Sequence, residues 1–140
     1  MGSVCRYARA LLLTLGVAMV VGCGGSGTVP IEGAVTLDGQ PVESGTIAFY
    51  PVSDGEAGGV LALIESGKYA LPADQGPLPG TFRVEVSWPK KTGRQIPSLD
   101  PGMMAEEMVE AIPAKYNRES QLRVEITSGQ STYDFHLESS

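Results

Sequence analysis

One histidine, one tryptophan and two cysteines are nearly all that this 140-residue chain offers to metal-binding or nucleophilic chemistry. His136 stands alone, so no histidine-rich ligand set can form around it. Cys5 lies in an N-terminal stretch with the features of a removable leader. Once that stretch is gone a single thiol remains, and no internal disulfide is possible. No Gly-x-Ser-x-Gly element is present, which excludes the strained-turn serine nucleophile. Gly24-Gly25-Ser26-Gly27 is glycine-rich, but no strand pattern precedes it and no helix pattern follows, so it is not a phosphate cradle. The carboxylates Glu106, Glu107 and Glu110 lack the spacing of a calcium loop. No metal site and no cofactor is expected. Basic residues are also scarce, 10 against 16 acidic ones for a net charge of −6. Such a surface repels a phosphate backbone, so nucleic acid is not an expected partner.

What is present begins with a leader. Arg6 and Arg9 form a short basic region, and an uncharged apolar stretch follows from Leu11 to Val21. This order matches a secretory signal, and the apolar run falls short of the ~20 residues that span a bilayer. The cleavage region resembles the lipobox of bacterial lipoproteins in Val20, Val21, Gly22 and Cys23, with Val20 standing where leucine is more usual. That resemblance implies cleavage after Gly22 and a diacylglycerol on the Cys23 sulfur. Lipid at the new terminus anchors the chain, because each buried CH₂ contributes about 0.8 kcal/mol. The expected organisation is a signal peptide over 1–22, a flexible tether over 23–28 and a folded part over 29–140. By resemblance to enterobacterial lipoproteins, Gly24 rather than aspartate after the cysteine implies the outer membrane of the cell envelope.

The folded part reads as strands. With 18 glycines and 10 prolines, turns are frequent. Ile31, Gly33, Val35 and Leu37 alternate with polar or small neighbours until Asp38-Gly39, a strong tight-turn signal. Ile47 and Phe49 share a strand face. Val60 to Leu71 reads as a hairpin turning at Ser66-Gly67. Phe82, Val84, Val86 and Trp88 face one way in the clearest strand. Leu122, Val124 and Ile126 point inward in another, and Tyr133, Phe135 and Leu137 in the last. About seven short strands with turns between them predict an all-β antiparallel sandwich.

The region between Pro89 and Tyr116 stands apart. Pro89, Pro97, Pro101 and Pro113 argue against a continuous strand. Residues 103–111 lack glycine and proline and are good helix formers, which predicts a short helix inside a long crossover. Glu106, Glu107 and Glu110 would then lie on its solvated face. Long loops often carry function, so this segment is the candidate specialised surface. Lys90, Lys91 and Arg94 read first as a solvated loop, though they could meet anionic headgroups or sugars; Trp88 reads first as core or sandwich edge, though it could serve as a stacking platform.

The folded part resembles the carboxypeptidase regulatory-like family of transthyretin-type β-sandwiches, above all the small bacterial lipoproteins that carry one such unit. The resemblance rests on Ile31 to Val42, on Gly45-Thr46-Ile47-Ala48-Phe49-Tyr50-Pro51 and on Gly67-Lys68-Tyr69. It continues in Leu78 to Val86, in Ile112-Pro113-Ala114-Lys115-Tyr116-Asn117 and in Leu122 to Leu137. Where the family usually has an Asp-Gly-x-Tyr turn, this chain has Glu65-Ser66-Gly67-Lys68-Tyr69. The resemblance implies a non-catalytic structural or binding module. An alternative use is a carbohydrate- or protein-binding accessory of a larger envelope complex, acting through residues 89–112. The hydroxyisourate hydrolases of similar fold need several histidines and a Tyr-Arg-Gly-Ser end. This chain ends His136-Leu137-Glu138-Ser139-Ser140, so no enzyme is expected.

Overall fold

Among the described residues, alternating apolar and polar side chains fold into ten strands and one 3-10 turn (Ala114–Tyr116). The computed structural model describes residues 27–53 and 58–140; the expected leader, the Val20-Val21-Gly22 cleavage motif and Cys23 lie outside them. The strands are β1 (Ile31–Leu37), β2 (Gln40–Pro41), β3 (Ser44–Pro51), β4 (Val60–Glu65) and β5 (Lys68–Leu71). They continue with β6 (Gly80–Ser87), β7 (Pro89–Pro97), β8 (Met104–Glu110), β9 (Arg123–Ile126) and β10 (Phe135–Leu137).

Eight strands form one sheet in the order β10-β1-β5-β4-β3-β6-β9, with β2 added beside β1. Its pairings are antiparallel except for β1 with β10, which run parallel with Val35 opposite Phe135. The sheet curls around its own apolar face, giving the expected all-β sandwich architecture. Two turns set the register. Asp38-Gly39 and Ser66-Gly67 all have positive φ, the backbone that a two-residue hairpin needs. Each turn has glycine second, where positive φ costs least. The Ser66-Gly67 turn brings Glu65 directly opposite Lys68.

The core follows the alternation. Phe82, Val84, Val86 and Trp88 are all buried, as are Ile47, Phe49, Ile64 and Ile126. Burying a side chain of this size contributes about 1.5–3 kcal/mol. Phe49, Tyr69 and Phe135 meet at its centre with ring centroids 5.8, 6.1 and 6.3 Å apart. The Tyr69 hydroxyl donates to the Tyr133 carbonyl at 2.7 Å and so joins β5 to the chain entering β10. The segment with the Ile-Pro-Ala-Lys-Tyr-Asn motif covers the part of the β6 edge that β9 leaves open. Asn117 Nδ2 donates to the Val86 carbonyl at 2.7 Å, Ser120 Oγ to the Val84 carbonyl, and Val84 N to the Leu122 carbonyl at 2.8 Å. An edge so occupied cannot recruit a foreign strand.

One expectation is overturned. Residues 103–111 are not a helix, since Met104–Glu110 is strand β8, paired antiparallel with β7. The prolines do not forbid β7, because Pro89 and Pro97 stand at its two ends, where a missing N–H costs least. Pro101 lies in the connecting turn, and Pro113 caps the 3-10 turn. Helix propensity is a weak prior, and a helix of two turns is marginal in water. Cross-strand partners decide instead.

Candidate functional site

β7 and β8 form a two-stranded ribbon of their own, outside the main sheet. Nearly every residue in it is exposed. It is an arm, and Glu110 fixes its root. One carboxylate oxygen of Glu110 accepts from Trp88 N at 2.7 Å and from Ile112 N at 2.9 Å. The other accepts from Ser87 Oγ at 2.6 Å. Ala111 N also donates to the Trp88 carbonyl at 3.0 Å. Hydrogen bonds to an ionised acceptor are the stronger kind, so this residue sets where the ribbon leaves the sandwich.

Along the arm, Lys90 stands opposite Val109 and Ile96 opposite Ala105. The register slips between Lys91 and Gln95, where Thr92, Gly93 and Arg94 share a single counterpart, Glu107. Such a bulge twists a ribbon. Glu107 holds it, accepting from Thr92 Oγ1 at 2.9 Å and from the Arg94 guanidinium at 2.9 Å. Lys91 Nζ pairs with Glu106 at 2.8 Å. The hydrogen bond to Glu106, then its charge, holds the Lys91 ammonium above the usual lysine range. At the tip, Met103 N donates to the Asp100 carbonyl at 3.1 Å. Leu99 is fully exposed there, with Met103 and Met104 more than half exposed beside it.

Of the residues expected to form a binding surface, Trp88 and Lys90 are brought together, while Lys91 and Arg94 each turn to an acid of β8. Trp88 is only 5% exposed and belongs to the core, so its ring is not an open stacking platform. Lys90 covers that ring, with Nζ 3.6 Å from the centroid, a cation–π contact. Lys91 and Arg94 are engaged by Glu106 and Glu107. His136 lies exposed on the outer face of β10, its Nδ1 2.9 Å from Thr36 Oγ1. Among the described residues, no three His, Cys, Asp or Glu side chains gather as a metal would require.

A second feature was not anticipated. The outer face of β1, β5 and β4 is concave and holds a groove of about 790 Å³. Ala34 and Ala70 belong to its lining, with the exposed Leu61 and Leu63. Glu32, Glu65 and Asp134 add three acids to one base, Lys68. Asp134 is tied down by the Ala34 N–H at 2.7 Å. The groove had a sequence signal. Val60-Leu61-Ala62-Leu63-Ile64 is apolar without alternation, the mark of a strand with both faces apolar.

Comparison with family models, with curated proteins and with solved structures finds no match to this chain.

Proposed function

We propose that this chain is a lipid-anchored lipoprotein of the cell envelope, serving as a non-catalytic binding or structural module. Its body is read as a carboxypeptidase regulatory-like, transthyretin-type sandwich. The observation that carries the reading is the leader ending in Val20-Val21-Gly22-Cys23, and the arm's place in the fold is in keeping with it. Gly27 is four residues beyond Cys23, a separation that an extended chain covers in at most ~14 Å. Thr28 lines the same hollow as Pro51, Val60 and Gly80, at the end of the sandwich where β6 starts. The arm departs after Ser87, at the other end of that strand, ~25 Å away at the usual rise per residue. A lipid on Cys23 therefore holds one end of the sandwich to the membrane and leaves the arm at the opposite end.

Gly24 after the modified cysteine favours the outer membrane. Between the two partner classes considered, the arm favours protein over carbohydrate. Sugars stack on open aromatic rings, and Trp88 is closed; Leu99, Met103 and Met104 present the flexible apolar side chains common at protein contacts. The test is Cys23→Ala in cells. The variant should leave the membrane fraction and lose acyl labelling. If it stays membrane-bound with labelling intact, the anchor, and with it the reading, is wrong.

A further inference from the structure

The chain joins the sandwich at a fixed point. Thr28 Oγ1 donates to the Ala73 carbonyl, and Val29 N donates to the Pro77 carbonyl at 2.9 Å. Gly76 lies so close to this crossing that a Cβ there would stand 1.9 Å from the Val29 carbonyl oxygen. Gly27 and Thr28, expected in the tether, therefore belong to the body, and the leash is the stretch from Cys23 to Gly27. Beside its end Leu78 is 59% exposed, and a Cβ on Gly27 would stand 3.4 Å from Leu78 Cδ2. Pro79 and Val52 are exposed at the same end, where Val52 N donates to the Thr81 carbonyl at 3.0 Å. Charge is scarce there. Among the described residues 27–30, 51–53, 58–60, 72–81 and 127–132, Asp74 is the one charged side chain. Residues 54–57, outside the described ones, add Asp54 and Glu56 and no base.

We propose that Leu78, with Pro79 and Val52 near it, seats in the zwitterionic headgroup layer of the membrane that holds the lipid, so that the sandwich stands on the bilayer by this end. This rests on the lipidation of Cys23 proposed above. The length of the leash carries the inference. A diacylglycerol holds the Cys23 sulfur at the level of the glycerols, inside a headgroup layer ~5–8 Å thick. Gly27 lies at most ~14 Å from Cys23, so the headgroups fill about half of that span. Leu78, alongside Gly27, stays within ~10 Å of the layer however the leash bends, and an apolar face at this boundary sinks ~5–10 Å. A few exposed side chains are too little for docking from solution. On a short leash the contact is intramolecular, at an effective concentration in the millimolar range, and a weak contact becomes populated. The acids exclude attraction to anionic headgroups, so the contact is apolar.

The test uses the full-length lipidated chain in phosphatidylcholine vesicles. The lipid blocks Cys23, so Ser53→Cys supplies the thiol for an NBD fluorophore at the hollow that Leu78 also lines. Leu99→Cys, at the tip of the arm, gives the comparison. Nitroxide-bearing lipids should quench the label at position 53 at least about threefold more than the label at position 99, since β6 alone separates the two ends by ~25 Å. Leu78→Asp, at an exposed site, should remove most of that difference with an unchanged circular dichroism spectrum. A Gly-Ser spacer between Ser26 and Gly27 that lengthens the leash about fourfold leaves the body unaltered and should weaken the contact about eightfold, by the −3/2 power of length. Equal quenching at the two labels, or quenching indifferent to Leu78→Asp and to the spacer, overturns the contact. Quenching that rises when phosphatidylglycerol replaces part of the lipid overturns it too, since charge would then be the attraction. In all of these outcomes the chain floats with the vesicles and the anchor stands. A chain that does not float with them removes the anchor and the contact together.

Discussion

The sandwich body and the arm use the same backbone hydrogen bonds in opposite circumstances. In the body, β3 has β4 on one side and β6 on the other, and beneath it Ile47 and Phe49 are completely buried. In the arm, β7 has only β8, and both faces meet solvent. The body is stabilised by what it removes from water. The arm depends on its ladder, on exposed ion pairs and on the Glu110 carboxylate at its base. Stability and availability for contact are thus divided between two parts of one chain, since a surface free to bind cannot also be buried.

The sharpest way to break the contrast is a cut into the body. Phe49→Ala removes a ring touching Tyr69 and Phe135 and should cost about 3–5 kcal/mol, read from the urea midpoint. A cost under ~1 kcal/mol would mean that the aromatic centre is not what holds the sheet closed. Next is the joint between the two parts. Glu110→Ala leaves Trp88 N and Ile112 N without their acceptor, a penalty of about 1–3 kcal/mol. Hydrogen exchange should quicken at least tenfold over residues 89–110 and change little at Ile47 or Val84. Uniform acceleration would show that arm and body open as one unit.

Within the body, Tyr69→Phe should cost ~1 kcal/mol through the lost bond to the Tyr133 carbonyl. Burial, with smaller help from the Asp134 charge and from Tyr133, pushes the Tyr69 hydroxyl well above the usual tyrosine range. The unfolded chain then releases this proton at lower pH than the folded one. Stability from Tyr69 is therefore complete below pH ~10 and falls as pH rises further. Tyr69→Phe should flatten that alkaline loss, and the ultraviolet titration step missing from the variant should lie above the usual tyrosine range. A missing step within the usual range would contradict the burial. The smallest effect belongs to the arm. Replacing residues 91–108 by Asn-Gly, a two-residue hairpin turn that keeps Lys90 over the Trp88 ring, should change the body's stability by less than ~0.5 kcal/mol. A larger shift would make the arm part of the body's stability.

The body was legible because its signals are local or strictly periodic. The spacing of Phe82, Val84, Val86 and Trp88 put four side chains on one face, and all four are buried. Asp38-Gly39 and Ser66-Gly67 announced hairpin turns and form them. Tyr133, Phe135 and Leu137 point inward and His136 outward, as alternation requires. The arm is not legible in the sequence, because Met-Ala-Glu-Glu-Met-Val-Glu has helical propensity and no strand alternation, and the bases that pair with it lie more than ten residues away, across a turn. Trp88 reads as core from the alternation of its strand and is core, but its position at the strand end does not reveal that Lys90 covers its ring. The groove escaped notice because Leu61 and Leu63 become a surface feature only when β1 and β5 stand beside β4.

From the sequence alone, period-two burial and two-residue turns determined that this chain builds sheet, and which side chains face inward. Those choices depend on neighbours within a few residues, which the sequence contains outright. Tertiary structure decided that β10 returns to lie parallel to β1, that β7 and β8 leave the sheet as an arm, and that Glu110 holds its root. Each of these joins groups distant along the chain or balances helix against strand by small margins, and only the assembled contacts settle such a balance.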